Sequence, residues 1–252
     1  MSESKTTSDL VWGIHPVLEL LQTKPQQVQE ITVQKSKGGP KVQEIITLAK
    51  SHNRKIRFSP FLKVPGIPDA NHQGVIARVA AIPTLTLDDL LAKNKQPGTA
   101  PLFLALDSIQ DPHNLGAIIR SASAAGVNGI ILPKDRSAPL GGTAAKAAAG
   151  SIVHMDICQV TNLVDALKRL KEEGFWIYGA AAEAERSIYQ TGFDGPLCLV
   201  TGSEEKGLRP LVRKHCDFLV SIPMRSTLGS LNASVATAVI LYEILRQKHQ
   251  KE

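Results

Sequence analysis

The side chains best suited to polar chemistry in this chain stand in three short clusters, each just after an apolar run. Asp111, Pro112, His113 and Asn114 follow LALDSIQ, and Arg120 lies beyond them in a stretch of Ala, Ile, Gly and Ser. Thr201, Gly202, Ser203 and Glu204 follow LCLV. Arg225, Ser226, Thr227 and Gly229 lead from SIPM to Ser230, Leu231 and Asn232, ahead of a long Ala-rich apolar run. Each cluster reads as strand, polar turn, helix. Such a joint collects unpaired N–H and C=O groups, because the first turn of a helix has no internal partners. It can therefore bind a small polar ligand through the main chain, and ligands of open α/β sheets sit at these carboxyl ends. Plainer readings also fit. Ser230 or Asn232 can cap a helix, Arg120 can be a surface charge, and Glu204 can be a turn carboxylate capping residues 207–212.

The elements needed to position these clusters follow from hydrophobic periodicity. Residues 102–106, 129–132, 176–179, 197–201 and 218–222 read as strands, and Pro223 stops the last of them because it lacks an N–H. Helices are expected over residues 114–125, 142–149 and 163–173, with a final one running to about residue 248. Asn162 is a candidate N-cap and Gly174 a stop. Alternating strands and helices argue for a parallel sheet covered on both faces. Before it, a helix over 17–21, a strand over 30–33, a helix over 42–51 and strands over 55–58 and 74–79 suit a small α/β sandwich. A polar stretch near residues 93–98 reads as a linker.

Several chemistries are excluded. No GxGxxG follows a strand and no GxxxxGK[ST] occurs, which argues against a dinucleotide-dependent dehydrogenase or a P-loop enzyme. Cys158, Cys198 and Cys216 form no CxxC pair, and the seven histidines are scattered, so no metal site is expected. The amino-terminal MSESKTTSDL is polar, and no run approaches the ~20 apolar residues of a membrane span. A cytoplasmic protein with reduced thiols and no membrane association is the expectation.

Charge divides the chain. Residues 1–98 hold 13 Lys and Arg against 8 Asp and Glu, a balance of +5, within a total of +6. Lys35, Lys37, Lys41, Lys50, Arg54, Lys55 and Arg57 face only Glu44 in their stretch. A solvated face would look the same, yet a basic front domain is the footprint expected of an RNA-docking module. Aromatic residues make up 4% of the chain, so recognition should lean on phosphate contacts and RNA shape more than on stacking. Lys35, Lys37, Lys50, Arg54, Lys55 and Arg57 are the candidate RNA contacts.

DPHNLGAIIRSA, LVTGSEEKGL and IPMRSTLGSLNASVATAVILYE, in this order and at these separations, resemble the three motifs of the SpoU/TrmH branch of the SPOUT RNA methyltransferases. GIHPVLELL and HQGVIARV resemble the substrate-binding domain of its ribosomal RNA members, and PKDRSAPL and VTNLVDALKRL fit as well. The likeness is nearest to members that methylate a guanosine ribose of bacterial 23S ribosomal RNA. It implies a carboxyl-terminal SPOUT-type parallel sheet with a deep trefoil knot, preceded by a small L7Ae/L30e-like RNA-binding domain. Residues 1–80 would bind RNA, 81–100 would link, and 101–252 would carry the methyltransferase. It further implies a homodimer joined through the knot, a ribosomal RNA substrate at a pre-ribosomal stage, and S-adenosylmethionine, whose adenosine would meet main chain at Gly202, Ile222 and Leu231.

The resemblance also assigns roles. Arg120 would act at the ribose hydroxyl, helped by the target's phosphate, while Asn114 and Asn232 shape the site and Glu204 and Ser230 fill its other polar positions. Arginine keeps its proton up to a pKa above ~12, so electrostatic and phosphate-holding work suits Arg120 better than proton acceptance. Two departures from the family pattern stand out. Glu205 replaces a common glycine and would be strained if that position needs positive φ. Arg225, Ser226 and Thr227 replace a smaller stretch. Two other readings remain: an enzyme acting on transfer RNA or another ribosomal loop, and a non-catalytic ribosome-assembly protein with this fold. The HQGVIARV domain favours ribosomal RNA, and the five matching polar residues favour catalysis.

Overall fold

The computed structural model describes residues 9–64, 70–79, 83–96, 98, 100–225 and 231–250. Ser230 and the Ser226–Thr227 departure lie outside the described residues. Two compact units divide the chain: residues 1–83 with 139–153, and residues 84–138 with 154–252.

The first unit is built on a four-stranded sheet. Strands β1 (Asp9–Trp12), β2 (Val28–Gln34), β3 (Lys55–Ser59) and β4 (Val75–Val79) run in the order β1-β4-β2-β3, with β2 and β3 parallel and the other pairs antiparallel. Helices α1 (Ile14–Thr23) and α2 (Pro40–Ser51) accompany them. Val42, Ile45 and Ala49 are the buried face of α2, at the spacing read from the sequence. The sequence reading missed β1, which is only four residues long.

The second unit opens with helix α3 (Leu87–Asn94), held at its start by a Thr86–Asp89 capping box. Its Leu90 and Leu91 sit in the same buried cluster as Phe103, Ile131, Leu167 and Phe175, so this part of the expected connection is core. Six parallel strands follow: β5 (Leu102–Asp107), β6 (Gly129–Pro133), β7 (Ile157–Val160), β8 (Trp176–Ala180), β9 (Leu197–Gly202) and β10 (Phe218–Val220). Their order is β10-β8-β9-β5-β6-β7, parallel throughout. A short helix, α5 (Gly142–Ala147), expected in this strand–helix series, groups with the first unit instead.

The remaining helices are α4 (Pro112–Ala124), α6 (Leu163–Glu172), α7 (Pro210–Lys214) and α8 (Ala233–His249). Asn162 caps α6, its Oδ1 accepting from Val164 N, and Gly174 beyond its end takes φ 84°. Helix α4 starts two residues earlier than expected, because Asp111 caps it and Pro112, already fixed near helical φ, takes its first position. From β5 the chain moves to β6 on one side, whereas from β9 it moves to β10 on the other. Adjacent loops after β5 and β9 therefore diverge, and a crevice forms at their carboxyl ends.

Candidate functional site

Glu204 occupies that crevice. Its strand, β9, ends at Gly202, and the following loop turns back so that Gly207 N donates to Ser203 O at 2.9 Å. A Cβ on residue 202 would stand 2.2 Å from the Gly207 carbonyl carbon and oxygen. Glycine is thus required here by the loop's own main chain. Glu205 does not take positive φ, so the strain considered for it does not arise.

A buried carboxylate fixes the far end of the loop. Asp107, fully buried at the end of β5 and in register with Gly202, accepts from Arg209 N at 2.8 Å and from Arg209 Nε at 2.5 Å. The Arg209 side chain is about a third exposed, 35%, so its charge is partly screened; its main effect is to tie the β9 loop to β5. Sequence reading passed over this pair. An acid ending the apolar run LFLALD was the available signal.

Three of the expected polar residues meet around one oxygen. Glu204 Oε1 accepts from Asn114 Nδ2 at 3.1 Å, from Ala233 N at 3.1 Å and from Asn232 Nδ2. Asn232 Nδ2 also reaches Asn114 Oδ1 at 3.0 Å. Asn232 is the N-cap of α8, its Oδ1 accepting from Ser234 N and Val235 N. The carboxylate therefore sits at the amino end of a 17-residue helix, where unpaired N–H groups favour negative charge. It caps α8, not residues 207–212 as the plainer reading had it. No hydrogen bond to Glu204 Oε2 is made among the described residues, and the side chain belongs to an exposed residue, leaving that oxygen for a ligand.

Beside this cluster lies a cavity of about 350 Å³ whose lining includes Gly202, Ile222 and Leu231, together with Thr201, Met224 and Ile240. Loops that follow β8, β9 and β10 meet in it. Thr201 Oγ1 is buried and has no hydrogen-bond partner among the described residues. A buried hydroxyl without a partner is costly, and one in a cavity wall is available to a polar ligand. Arg120 is exposed and lines neither this cavity nor the neighbouring one.

Burial pushes all three thiols up, Cys158 to about 11 and Cys216 to about 12, with Cys198 higher still. Raised thiols disfavour the thiolate at neutral pH, which argues against a cysteine nucleophile. Among the described residues no group of three or more His, Cys, Asp or Glu is placed to hold a metal ion, and no helix is long and apolar enough to cross a membrane.

In the first unit, Lys35, Lys37, Lys50, Lys55 and Arg57 are exposed. Arg54 is not free: its guanidinium donates to His52 O at 2.6 Å and to Val28 O at 3.4 Å. Lys55 and Arg57 flank Glu30 Oε1 at 3.7 and 3.2 Å, ion pairs that lack good hydrogen-bond geometry. Phe58 and Phe61 are 51% and 79% exposed on and after the edge strand β3, an aromatic surface the low aromatic content did not suggest.

The chain is similar to known proteins. The profile of the SpoU rRNA Methylase family matches residues 101–242, and that of the RNA 2'-O ribose methyltransferase substrate binding family matches residues 10–85. The 23S rRNA (guanosine-2'-O-)-methyltransferase RlmB of Escherichia coli K12 is 42% identical over 245 residues, covering 96% of this chain and 99% of its own. Its namesake from Pseudomonas putida is 40% identical over 244 residues, covering 96% and 97%. The crystal structure of the SpoU methyltransferase AviRb from Streptomyces viridochromogenes in complex with the cofactor AdoMet matches with a TM-score of 0.76 at 26% identity, covering 96% of this chain and 90% of that one.

Proposed function

We propose, because this chain belongs to the SpoU rRNA methylase family, that it transfers a methyl group from S-adenosylmethionine to the 2′-hydroxyl of a guanosine in 23S ribosomal RNA. The observation that carries this reading is the meeting of Asn114, Glu204 and Asn232 beside the cavity lined by Gly202, Ile222 and Leu231. Residues present suit the cofactor: a cavity within the ~300–1,000 Å³ range of small-molecule sites, apolar walls for a ring, and the Thr201 hydroxyl without a partner. When bound, S-adenosylmethionine supplies an electrophilic methyl group on a sulfonium.

The chain's own residues bind and orient. Gly202, Ile222 and Leu231 form the walls against which the adenosine part is held. Asn114 and Asn232 fix the Glu204 carboxylate through its Oε1, leaving Oε2 to accept a hydrogen bond from the RNA side. Holding the reactants in line is a large part of such catalysis. Arg120, at the exposed surface of α4, acts on the RNA by its charge and holds a phosphate near the target ribose; Ser230 completes the polar positions.

Residues 1–80 serve as an L7Ae/L30e-like RNA-binding domain and 101–252 form the methyltransferase with its deep trefoil knot, while α3, within the expected 81–100 connection, belongs to the core of the second unit. Support comes from the two profile matches and from the strand order of the parallel sheet. The protein works in the cytoplasm on a pre-ribosomal RNA. Mapping 2′-O-methylation on ribosomal RNA from a deletion strain tests the function: one guanosine of 23S RNA should lose its methyl group, and unchanged maps would overturn the reading. With purified protein, methylation should be undiminished after exhaustive chelation. A stoichiometric metal requirement would contradict the site described.

Docking of RNA is assigned to Lys35, Lys37 and Lys50, with Lys55 and Arg57 tempered by Glu30 and Arg54 held in the fold. Neutralising Lys35, Lys37 and Lys50 together should weaken RNA binding and leave cofactor affinity alone. The log–log salt slope should flatten by roughly 0.7–0.9 for each phosphate contact removed, read from binding at several salt concentrations. An unchanged slope would remove these lysines from the interface.

A homodimer is part of the same reading. Along α8, Val235 and Tyr242 are 47% and 51% exposed, and with the partly buried Val239 they make an apolar stripe at helical spacing. Light scattering at micromolar concentration should give twice the chain mass; a monomeric mass counts against it.

A further inference from the structure

A second cavity of the same unit, about 530 Å³, takes no part in the functional reading so far. It shares the wall of residues 203–207 with the cofactor cavity, so Glu204 lines both. Ser108, Gln110, Asp111, Asn114, Arg136 and Arg209 line much of the rest.

Two of these residues hold unusual backbone. Ser108 has φ 65° and Arg136 has φ 61°, left-handed conformations that are uncommon and costly outside glycine. Their loops are laced together, Ala138 N donating to Ile109 O at 2.8 Å, with Ile109 and Ala138 both buried. Ser108 Oγ donates to Asp107 Oδ1 at 3.2 Å, which ties the same loop to the carboxylate that also holds Arg209. Such lacing maintains both conformations and fixes where the Arg136 side chain starts. Ser137 Oγ, next along this loop, is buried without a partner among the described residues.

The charges point the same way. Arg136 and Lys206 are exposed, and neither makes an ion pair among the described residues. Asp111 spends Oδ1 on the amino end of α4, and Glu204 spends Oε1 on its three donors. The cavity therefore offers two available cations, alongside the exposed Glu205 carboxylate and the open Oε2 of Glu204. A planar guanidinium can take two oxygens of a phosphate at once, and an ammonium adds a point charge.

We propose that this cavity seats the target nucleotide, with Arg136 and Lys206 holding one of the two phosphates that flank the methylated ribose, the other being the one assigned to Arg120. This rests on the methyltransferase reading above. Glu204, common to both cavities, then stands where the ribose hydroxyl and the cofactor meet.

Arg136→Gly is the first variant, because glycine keeps the φ of 61° without strain while removing the guanidinium. Lys206→Ala is the second. Each is expected to raise KM for a 23S RNA fragment about 10-fold, with kcat within about 3-fold, as for loss of substrate binding. The log–log salt slope of RNA binding should fall by roughly 0.7–0.9 per variant. For Arg136→Gly, which lies outside the cofactor cavity, S-adenosylmethionine affinity by isothermal titration should stay at the wild-type value, and for both variants the thermal unfolding midpoint should be unchanged. A wild-type protein that methylates the fragment while both variants keep its KM and slope would overturn the inference alone. A wild-type protein that binds no S-adenosylmethionine and methylates no RNA would overturn the functional reading, and this inference with it.

Discussion

Arg120→Ala is expected to lower single-turnover methylation by at least ~100-fold while RNA and S-adenosylmethionine still bind, as for loss of a positioned charged group. Geometry makes this a clean substitution. Arg120 is exposed on α4, lines neither cavity, and makes no ion pair among the described residues. Its removal leaves the contacts of Asn114, Glu204 and Asn232 untouched, and exposed substitutions of this kind usually change stability by no more than about 0.5 kcal/mol. A fall in turnover could then not be blamed on the fold. Arg120→Lys should be intermediate, since it keeps the charge and loses the planar fork. Isothermal titration for the cofactor, RNA binding at several salt concentrations, and single-turnover rates for both variants make the test. Near-normal turnover in Arg120→Ala would take this residue out of the mechanism.

The site was legible in the sequence to the extent that topology gathers it. Asn114, Glu204 and Asn232 each follow a strand in the chain, and a parallel sheet brings the carboxyl ends of its strands to one edge. Residues far apart in sequence then come within hydrogen-bond reach. Strands such as LFLALD and LCLVTG announce themselves as unbroken apolar runs because both faces of the sheet are covered. The short strands β1 and β7 do not, since four residues carry too little pattern to separate from a loop. Helix α4 was misplaced at its start because Asp111 and Pro112 read equally well as a turn and as a cap with its first helical residue.

What remained hidden was pairing. A basic run looks the same whether its members are solvated or bonded, and only the fold separates Arg54, which donates to His52 O and Val28 O, from the exposed Lys50. Asp107 and Arg209 are 102 residues apart, and neither residue alone signals the other. Backbone conformation was hidden as well. Glutamate at 205 drew attention for strain it does not bear, whereas Ser108 and Arg136 bear it unannounced.

Gly202→Ala is expected to weaken S-adenosylmethionine binding by at least ~10-fold, about 1.4 kcal/mol. The added Cβ would stand 2.2 Å from the Gly207 carbonyl and 2.6 Å from Leu208 N. These are main-chain atoms, so no side-chain rotation relieves the contact, and the loop of residues 203–207 must move. Arg209 resists that movement, being tied to the buried Asp107 through both its backbone N and its Nε. Overpacking of this kind typically costs about 1–3 kcal/mol. Part of the strain should appear as a lower unfolding midpoint, and part as a displaced Glu204 and a distorted cavity wall. Isothermal titration and thermal unfolding separate the two. Gly207→Ala is the informative comparison: a Cβ there meets no atom within 4 Å, but φ 59° disfavours a side chain, so it should lose stability with a smaller change in cofactor affinity. If Gly202→Ala binds S-adenosylmethionine as the wild type does, the close packing of this loop is not what shapes the cofactor cavity.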